Sequence, residues 1–168
     1  MSVNVREAFS FDDVLLVPKY SDIATRADIS LEVDIGTASS LKLPVFAAPM
    51  DTIMSNKMAR TLHEAGAMGV MHRYCSIDEQ VRLVSGAGTD FECFAAVGVT
   101  GDYLERAMAL ADAGVAGICV DVAHGHHSSA IAAVTEIRRE LPDIHIMAGN
   151  VATIRGFEAL ADAGANSV

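Results

Sequence analysis

The stretch Ala109-Leu-Ala-Asp-Ala-Gly114 returns as Ala159-Leu-Ala-Asp-Ala-Gly164, with a looser copy, Leu62-His-Glu-Ala-Gly66, further upstream. The closing glycines are 48 and 50 positions apart. No other property of the chain restricts its fold so tightly. An apolar stretch that ends in glycine is how many helices stop, because glycine accepts the left-handed conformation of the cap without a steric penalty. Each of these glycines is followed by an apolar run, at 67–71, 115–120 and 165–168, and further runs at 94–97 and 144–148 fall midway between them. Strand and helix therefore alternate about every 25 residues, a repeat of supersecondary units.

This spacing predicts helices over 55–65, 76–84, 102–113, 127–141 and 154–163. Ser76 and Asp102 each stand three residues before a glutamate, where a capping side chain satisfies the free N–H groups of a first helical turn. Pro142 cannot continue a helix and ends the fourth. Short, uninterrupted apolar strands between such helices belong to a parallel sheet covered on both faces. The predicted class is therefore α/β.

An open doubly wound sheet and a closed barrel share this periodicity. The Gly-x-Gly-x-x-Gly turn of a dinucleotide-binding open sheet is missing from the chain. With its first strand near Leu43, the chain holds about five and a half βα units of the eight that a (β/α)8 TIM barrel needs. No linker or low-complexity stretch marks a second domain, so residues 1–168 are read as one.

Hydrophobic residues make up 51% of the chain, enough for one sizeable core. A formal net charge of −10 argues against broad contact with nucleic acid or an anionic membrane. Cys75, Cys93 and Cys119 are far apart and form no Cys-x-x-Cys pair, which suits reduced thiols. Residues 1–11 lack the pattern of a signal peptide, and no apolar stretch reaches the roughly 18 residues of a membrane span. The expectation is a cytoplasmic protein.

Working residues of barrels sit at the C-terminal ends of the strands, and here those positions are polar. Asp121 could accept hydrogen bonds from ribose hydroxyls or an amide, or could cap the next turn. Asn150, after Gly149, offers an amide that both donates and accepts beside a close backbone approach, or could only shape its loop. Arg73 could face a phosphate or stand as an ordinary solvated residue. Met50 offers a flat polarizable contact for a base, or packs in the core. His124, His126 and His127 have the alternation that could share a zinc ion, but Gly125 points to a tight turn as the reason for the pattern. No nucleophile with a neighbouring base can be named, and no metal site is assigned.

Five ordered motifs span nearly the whole chain: Phe11-Asp-Asp-Val-Leu-Leu-Val-Pro18, Ala48-Pro-Met-Asp-Thr52, Val70-Met-His-Arg73, Asp121-Val-Ala-His-Gly-His126 and Ala148-Gly-Asn-Val-Ala-Thr153. In order and spacing they resemble the IMP dehydrogenase/GMP reductase family. The resemblance implies a (β/α)8 barrel, usually tetrameric, that handles a purine nucleotide (IMP or GMP) with NAD or NADP over a catalytic cysteine loop. It implies that Met50 lies against the purine base and Asn150 near the nucleotide. Asp121, Val122 and Ala123 would border the cofactor, with Arg73 and Arg26 near it as in the reductases. Ala48 departs from the serine of many dehydrogenases.

Family members continue past the position of Val168 into a loop holding potassium and the nucleophilic cysteine, then into phosphate-binding loops. None of Cys75, Cys93 or Cys119 matches that nucleophile, so no catalytic residue is assigned and the chain alone is expected to be inactive. It is expected to be homo-oligomeric or to pair with a complementing C-terminal barrel segment. The resemblance leaves two activities. Residues 84–91 cross directly to the third strand, without the regulatory CBS insertion of typical dehydrogenases, which favours GMP reductase (GMP to IMP with NADPH) or a short dehydrogenase. The motifs at 48–52 and 149–153 look more like those of IMP dehydrogenase (IMP to XMP with NAD), the preferred reading. An alternative of another class is a non-catalytic half barrel that binds nucleotide or a subunit.

Overall fold

The structure, a computed structural model, describes residues 7–36, 40–85 and 91–168. The chain divides into two compact units, Met1–Ser30 and Leu31–Val168. In the first, the described residues form two single 3-10 turns, Phe11–Asp13 and Arg26–Asp28, with extended chain around them.

The second unit opens with a small antiparallel hairpin of β1 (Val33–Asp34) and β2 (Ser40–Leu41). Five strands then form one parallel sheet in chain order: β3 (Phe46–Ala47), β4 (Met68–Met71), β5 (Cys93–Val97), β6 (Gly117–Asp121) and β7 (His145–Gly149). A bridge between Met147 and Ser167 sets the chain beyond β7 at the sixth place. The helices are α1 (Asn56–Glu64), α2 (Ile77–Ser85), α3 (Tyr103–Asp112), α4 (Ser128–Glu140) and α5 (Ile154–Asp162). Strand and helix alternate as the spacing predicts, and the sheet is a curled half barrel, the first part of a TIM barrel.

Side chains of successive strand residues alternate between two cores. Met71, Ala95, Val97, Ile118, Val120, Ile146 and Ala148 face the helices and pack with Leu110, Ile137 and Leu160, all buried. Burial of each such large apolar side chain contributes about 1.5–3 kcal/mol. Met68, Val70, Phe94, Ala96 and Cys119 face the inside of the curl. Gly117 makes room there, since a Cβ at that position would stand 2.8 Å from the Phe94 ring.

The repeat glycines end helices as expected: Gly66, Gly114 and Gly164 have φ of 77°, 83° and 108°. Ser76 caps α2 by accepting the Glu79 N–H at 3.2 Å. Asp102 is a correction, because it makes no capping bond to α3. Its carboxylate instead receives Nη2 of Arg106 at 2.8 Å, and a buried guanidinium is a stronger claimant than a backbone N–H. The hairpin is a second difference, too short to leave an alternating pattern. Its Leu41, 3% exposed, packs on the inner face of the sheet, which is therefore partly covered. The connection 86–90, read in the sequence as a direct crossing, lies outside the described residues.

Candidate functional site

Three clefts open at the C-terminal ends of the strands. The largest, about 490 Å³, is lined by Ala48, Pro49, Met50, Asp51, Tyr74 and Asp121. The second, about 360 Å³, takes Asp121 together with Cys119, Met147, Gly149 and Asn150 among its walls. Asp121 is therefore common to both. A third, about 250 Å³, is lined by Arg73, Gly98, Thr100, Asp102, Arg106 and Val122, among others.

Each residue arrives there for a local reason. Asp121 is the last residue of β6, and the strand alternation that sends Val120 to the helices turns its neighbour to the inside. Its carboxylate makes no hydrogen bond among the described residues, so it does not cap the next turn. Asn150 follows β7, and its backbone is fully used: its N–H donates to the Val122 carbonyl at 2.7 Å and its carbonyl accepts from the Gly125 N–H at 2.7 Å. The Val122 N–H donates to the Gly149 carbonyl at 3.0 Å, which completes the stitch between the two loops. Asn150 thus shapes its loop with its backbone and leaves an exposed side-chain amide available.

Gly125 serves this stitch. A Cβ there would come within 3.0 Å of the Asn150 carbonyl oxygen, so close approach rather than turn conformation calls for glycine. Of the neighbouring histidines, His127 accepts the Ser129 N–H on Nδ1 at 3.1 Å and caps α4, with its ring 6.5 Å from that of His124. Its capping role fits a structural reading of the pattern.

At the end of β4 the electrostatics are unusual. The Arg73 guanidinium lies 5.4 Å from the centre of the Tyr74 ring and rests against Gly98, yet its Nε is buried without a hydrogen-bond partner. His72, 8% exposed, has a buried Nδ1 in the same condition. Such orphaned groups are uncommon in folded chains and concentrate where a ligand or water completes the bonding. Arg106, by contrast, is satisfied by Gln80 Oε1 at 2.8 Å, the Cys75 carbonyl at 3.1 Å and Asp102, and the fully buried Gln80 donates to the Ala96 carbonyl at 2.9 Å.

The structure thus brings Met50 and Asp121 to one cleft, Asp121 and Asn150 to the next, and Arg73 and Val122 to the third. Ala123 is exposed and lines none of the three, and Arg26 belongs to the other unit, Met1–Ser30. Burial pushes the Cys93 and Cys119 thiols up to about 12, so neither is a ready thiolate. Burial raises Cys75 as well, with Glu79 adding to the shift. Sequence reasoning passed over Tyr74, although it directly follows the Val70-Met-His-Arg73 motif, and over the Arg106–Gln80 pair. The latter leaves no sequence signal, because its members lie 26 residues apart on different helices.

The model of the family described as IMP dehydrogenase / GMP reductase domain matches residues 8–168. Inosine-5'-monophosphate dehydrogenase of Nitrosopumilus maritimus is 25% identical over an alignment of 288 residues that covers 97% of this chain and 60% of that protein. That alignment is longer than the chain's 168 residues, so the relative carries extra residues within the matched span. GMP reductase of Streptococcus pneumoniae (strain CGSP14) is 31% identical over 159 residues, 95% of this chain and 48% of that one. The crystal structure of inosine 5' monophosphate dehydrogenase from Legionella pneumophila superimposes with a TM-score of 0.84 at 41% identity, over 95% of this chain and 49% of that one. The chain spans about half the length of these relatives, somewhat more for the first.

Proposed function

The chain belongs to the IMP dehydrogenase/GMP reductase family, and on that premise we propose that it forms the nucleotide-binding first half of a purine nucleotide oxidoreductase of the dehydrogenase type, taking IMP to XMP with NAD. The observation that carries this reading is the single carboxylate of Asp121 shared by two adjoining clefts, one walled by Met50 and the other by Asn150. A shared acceptor between two clefts suits two nucleotides that must meet ring to ring. In this reading Met50 contacts the purine, Asn150 its ribose or base edge, and Asp121, flanked by Val122 and Ala123, the cofactor's ribose or carboxamide.

The residues present fit a nicotinamide dinucleotide. Asp121 is an unengaged acceptor, and Arg73 holds a buried, unpartnered nitrogen with its guanidinium against Gly98. When bound, the nicotinamide supplies the hydride acceptor. The chain's own residues hold and orient the two rings. No potassium ligand is assigned among residues 1–168, and Arg26 is offered as a cofactor contact on the resemblance alone.

The dehydrogenase is favoured by the motifs at 48–52 and 149–153 and by the 41% identity to the Legionella structure, while between the two sequence relatives the streptococcal GMP reductase, at 31%, stands above the Nitrosopumilus dehydrogenase, at 25%. GMP reductase, taking GMP to IMP with NADPH, is the second reading, favoured by an alignment to that relative without a long insertion. Assembly with a segment that carries the rest of the barrel, or with further copies, belongs to the same reading.

The test is calorimetry on the 168-residue chain with IMP, GMP, NAD and NADPH. Millimolar binding of one nucleotide and one cofactor, lost in Asp121→Ala, supports the proposal. Micromolar binding untouched by Asp121→Ala, or no binding at all, overturns it. The pair that binds, IMP with NAD or GMP with NADPH, decides between the two activities.

A further inference from the structure

We propose that Tyr74 is a specificity-determining residue of the largest cleft, whose ring stacks on the flat nitrogen heterocycle of a bound nucleotide. The proposal rests on the nucleotide reading above and adds a contact that reading does not contain. Tyr74 is 61% exposed yet not loosely placed. Its ring stacks with that of His72 at 6.4 Å between centres and 16° between planes, and the Arg73 guanidinium lies 5.4 Å from its centre. His72 is buried, so it serves as a fixed support for the exposed ring.

A large aromatic side chain held in one orientation while open to solvent has already lost most of the freedom that ligand stacking would remove. The cleft it lines also presents Met50, 47% exposed, whose thioether makes favourable contact with aromatic rings. A planar ring entering there meets a sulfur, a phenol face and the Asp121 carboxylate, which accepts a hydrogen bond from an amide or a ribose hydroxyl. Guanidinium contact makes the Tyr74 ring a poorer host for a further cation and leaves it suited to neutral, electron-poor heterocycles. The hypoxanthine of a purine nucleotide is such a neutral ring, whereas the oxidised nicotinamide is a cationic pyridinium and the poorer guest beside the Arg73 guanidinium.

Proton NMR of millimolar IMP, and separately of nicotinamide mononucleotide, with the 168-residue chain distinguishes the two sources. Stacking predicts upfield ring-current shifts of the base protons, retained in Tyr74→Phe, abolished in Tyr74→Leu, with affinity about tenfold weaker in the latter. The ligand whose protons shift identifies the ring that Tyr74 takes. Tyr74→Asn, which keeps the site polar, should behave as Tyr74→Leu does, and circular dichroism of each variant confirms that the fold is kept. Binding with undiminished affinity and unchanged base-proton shifts in the leucine and asparagine variants overturns the role of Tyr74 and leaves the nucleotide reading standing. Absence of binding by both ligands to the unsubstituted chain overturns that reading and the role of Tyr74 with it.

Discussion

Gly125 and Asn150 meet backbone to backbone: the Gly125 N–H donates to the Asn150 carbonyl at 2.7 Å, and no side chain fits on Gly125 without coming within 3.0 Å of that oxygen. The loops after β6 and β7 are thereby held as one piece, which fixes the spacing of Asp121 and Asn150.

Gly125→Ala should therefore destabilise the chain by about 1–3 kcal/mol, since a methyl group pressed on backbone atoms cannot be relieved by a rotamer change. The exposed His124→Ala next to it should stay within about 0.5 kcal/mol of the unsubstituted chain. Urea unfolding measures both, and equal effects would show that the stitch is not what Gly125 provides.

The repeat glycines separate backbone strain from crowding. A Cβ on Gly114 would meet nothing within 4 Å, so Gly114→Ala reports only the positive φ of 83°, about 1–2 kcal/mol. On Gly164 the same atom would stand 2.9 Å from Cγ of Arg138, whose guanidinium also donates to the Gly164 carbonyl from Nε at 3.1 Å. Gly164→Ala should cost more than Gly114→Ala. The difference in denaturation midpoint at constant m-value checks this.

Arg106 is predicted to be a structural keystone under the third cleft. Arg106→Met strands the oxygen of the fully buried Gln80 and the Cys75 carbonyl, which should cost about 2 kcal/mol. Arg106→Lys should restore little, because one ammonium cannot reach three acceptors held in a guanidinium's fork. Asp102→Asn should cost about 0.5 kcal/mol, the Asp102 side chain being 49% exposed. Thermal unfolding of the three variants ranks them, and a mild Arg106→Met would contradict the assignment.

Stability should fall at both ends of the pH range. Burial, with Arg138 adding to it, lowers His145 from its ordinary 6.5, so below about that pH the unfolded chain takes up a proton that the folded chain refuses. Burial raises Cys93 and Cys119 from 9.0 to about 12, so above pH 9 the unfolded chain releases protons that the folded chain keeps. Unfolding free energy should be flat between these limits. His145→Gln should flatten the acid limb and Cys119→Ala part of the alkaline limb, and urea titrations across pH read both slopes.

Much of this protein is local and hence legible in its sequence. Three glycines that must take positive φ, capping Ser76 and Pro142 after α4 place the helices to within a few residues, because helix ends depend on neighbours in the chain. Strand alternation likewise turns Asp121 to the inside of the curl. What lies between distant segments is decided only in three dimensions. Asp102, spaced as a cap, is taken by Arg106, because that buried guanidinium needs a charged partner. The two-residue strands of the hairpin leave no periodicity, yet Leu41 covers part of the inner core. Tyr74 is one more aromatic residue in the sequence. Only the packing of His72 beneath the rim and the clefts' common wall at Asp121 make it a candidate base platform, since neither the support nor the cleft exists until β3, β4, β5 and β6 are assembled in one sheet.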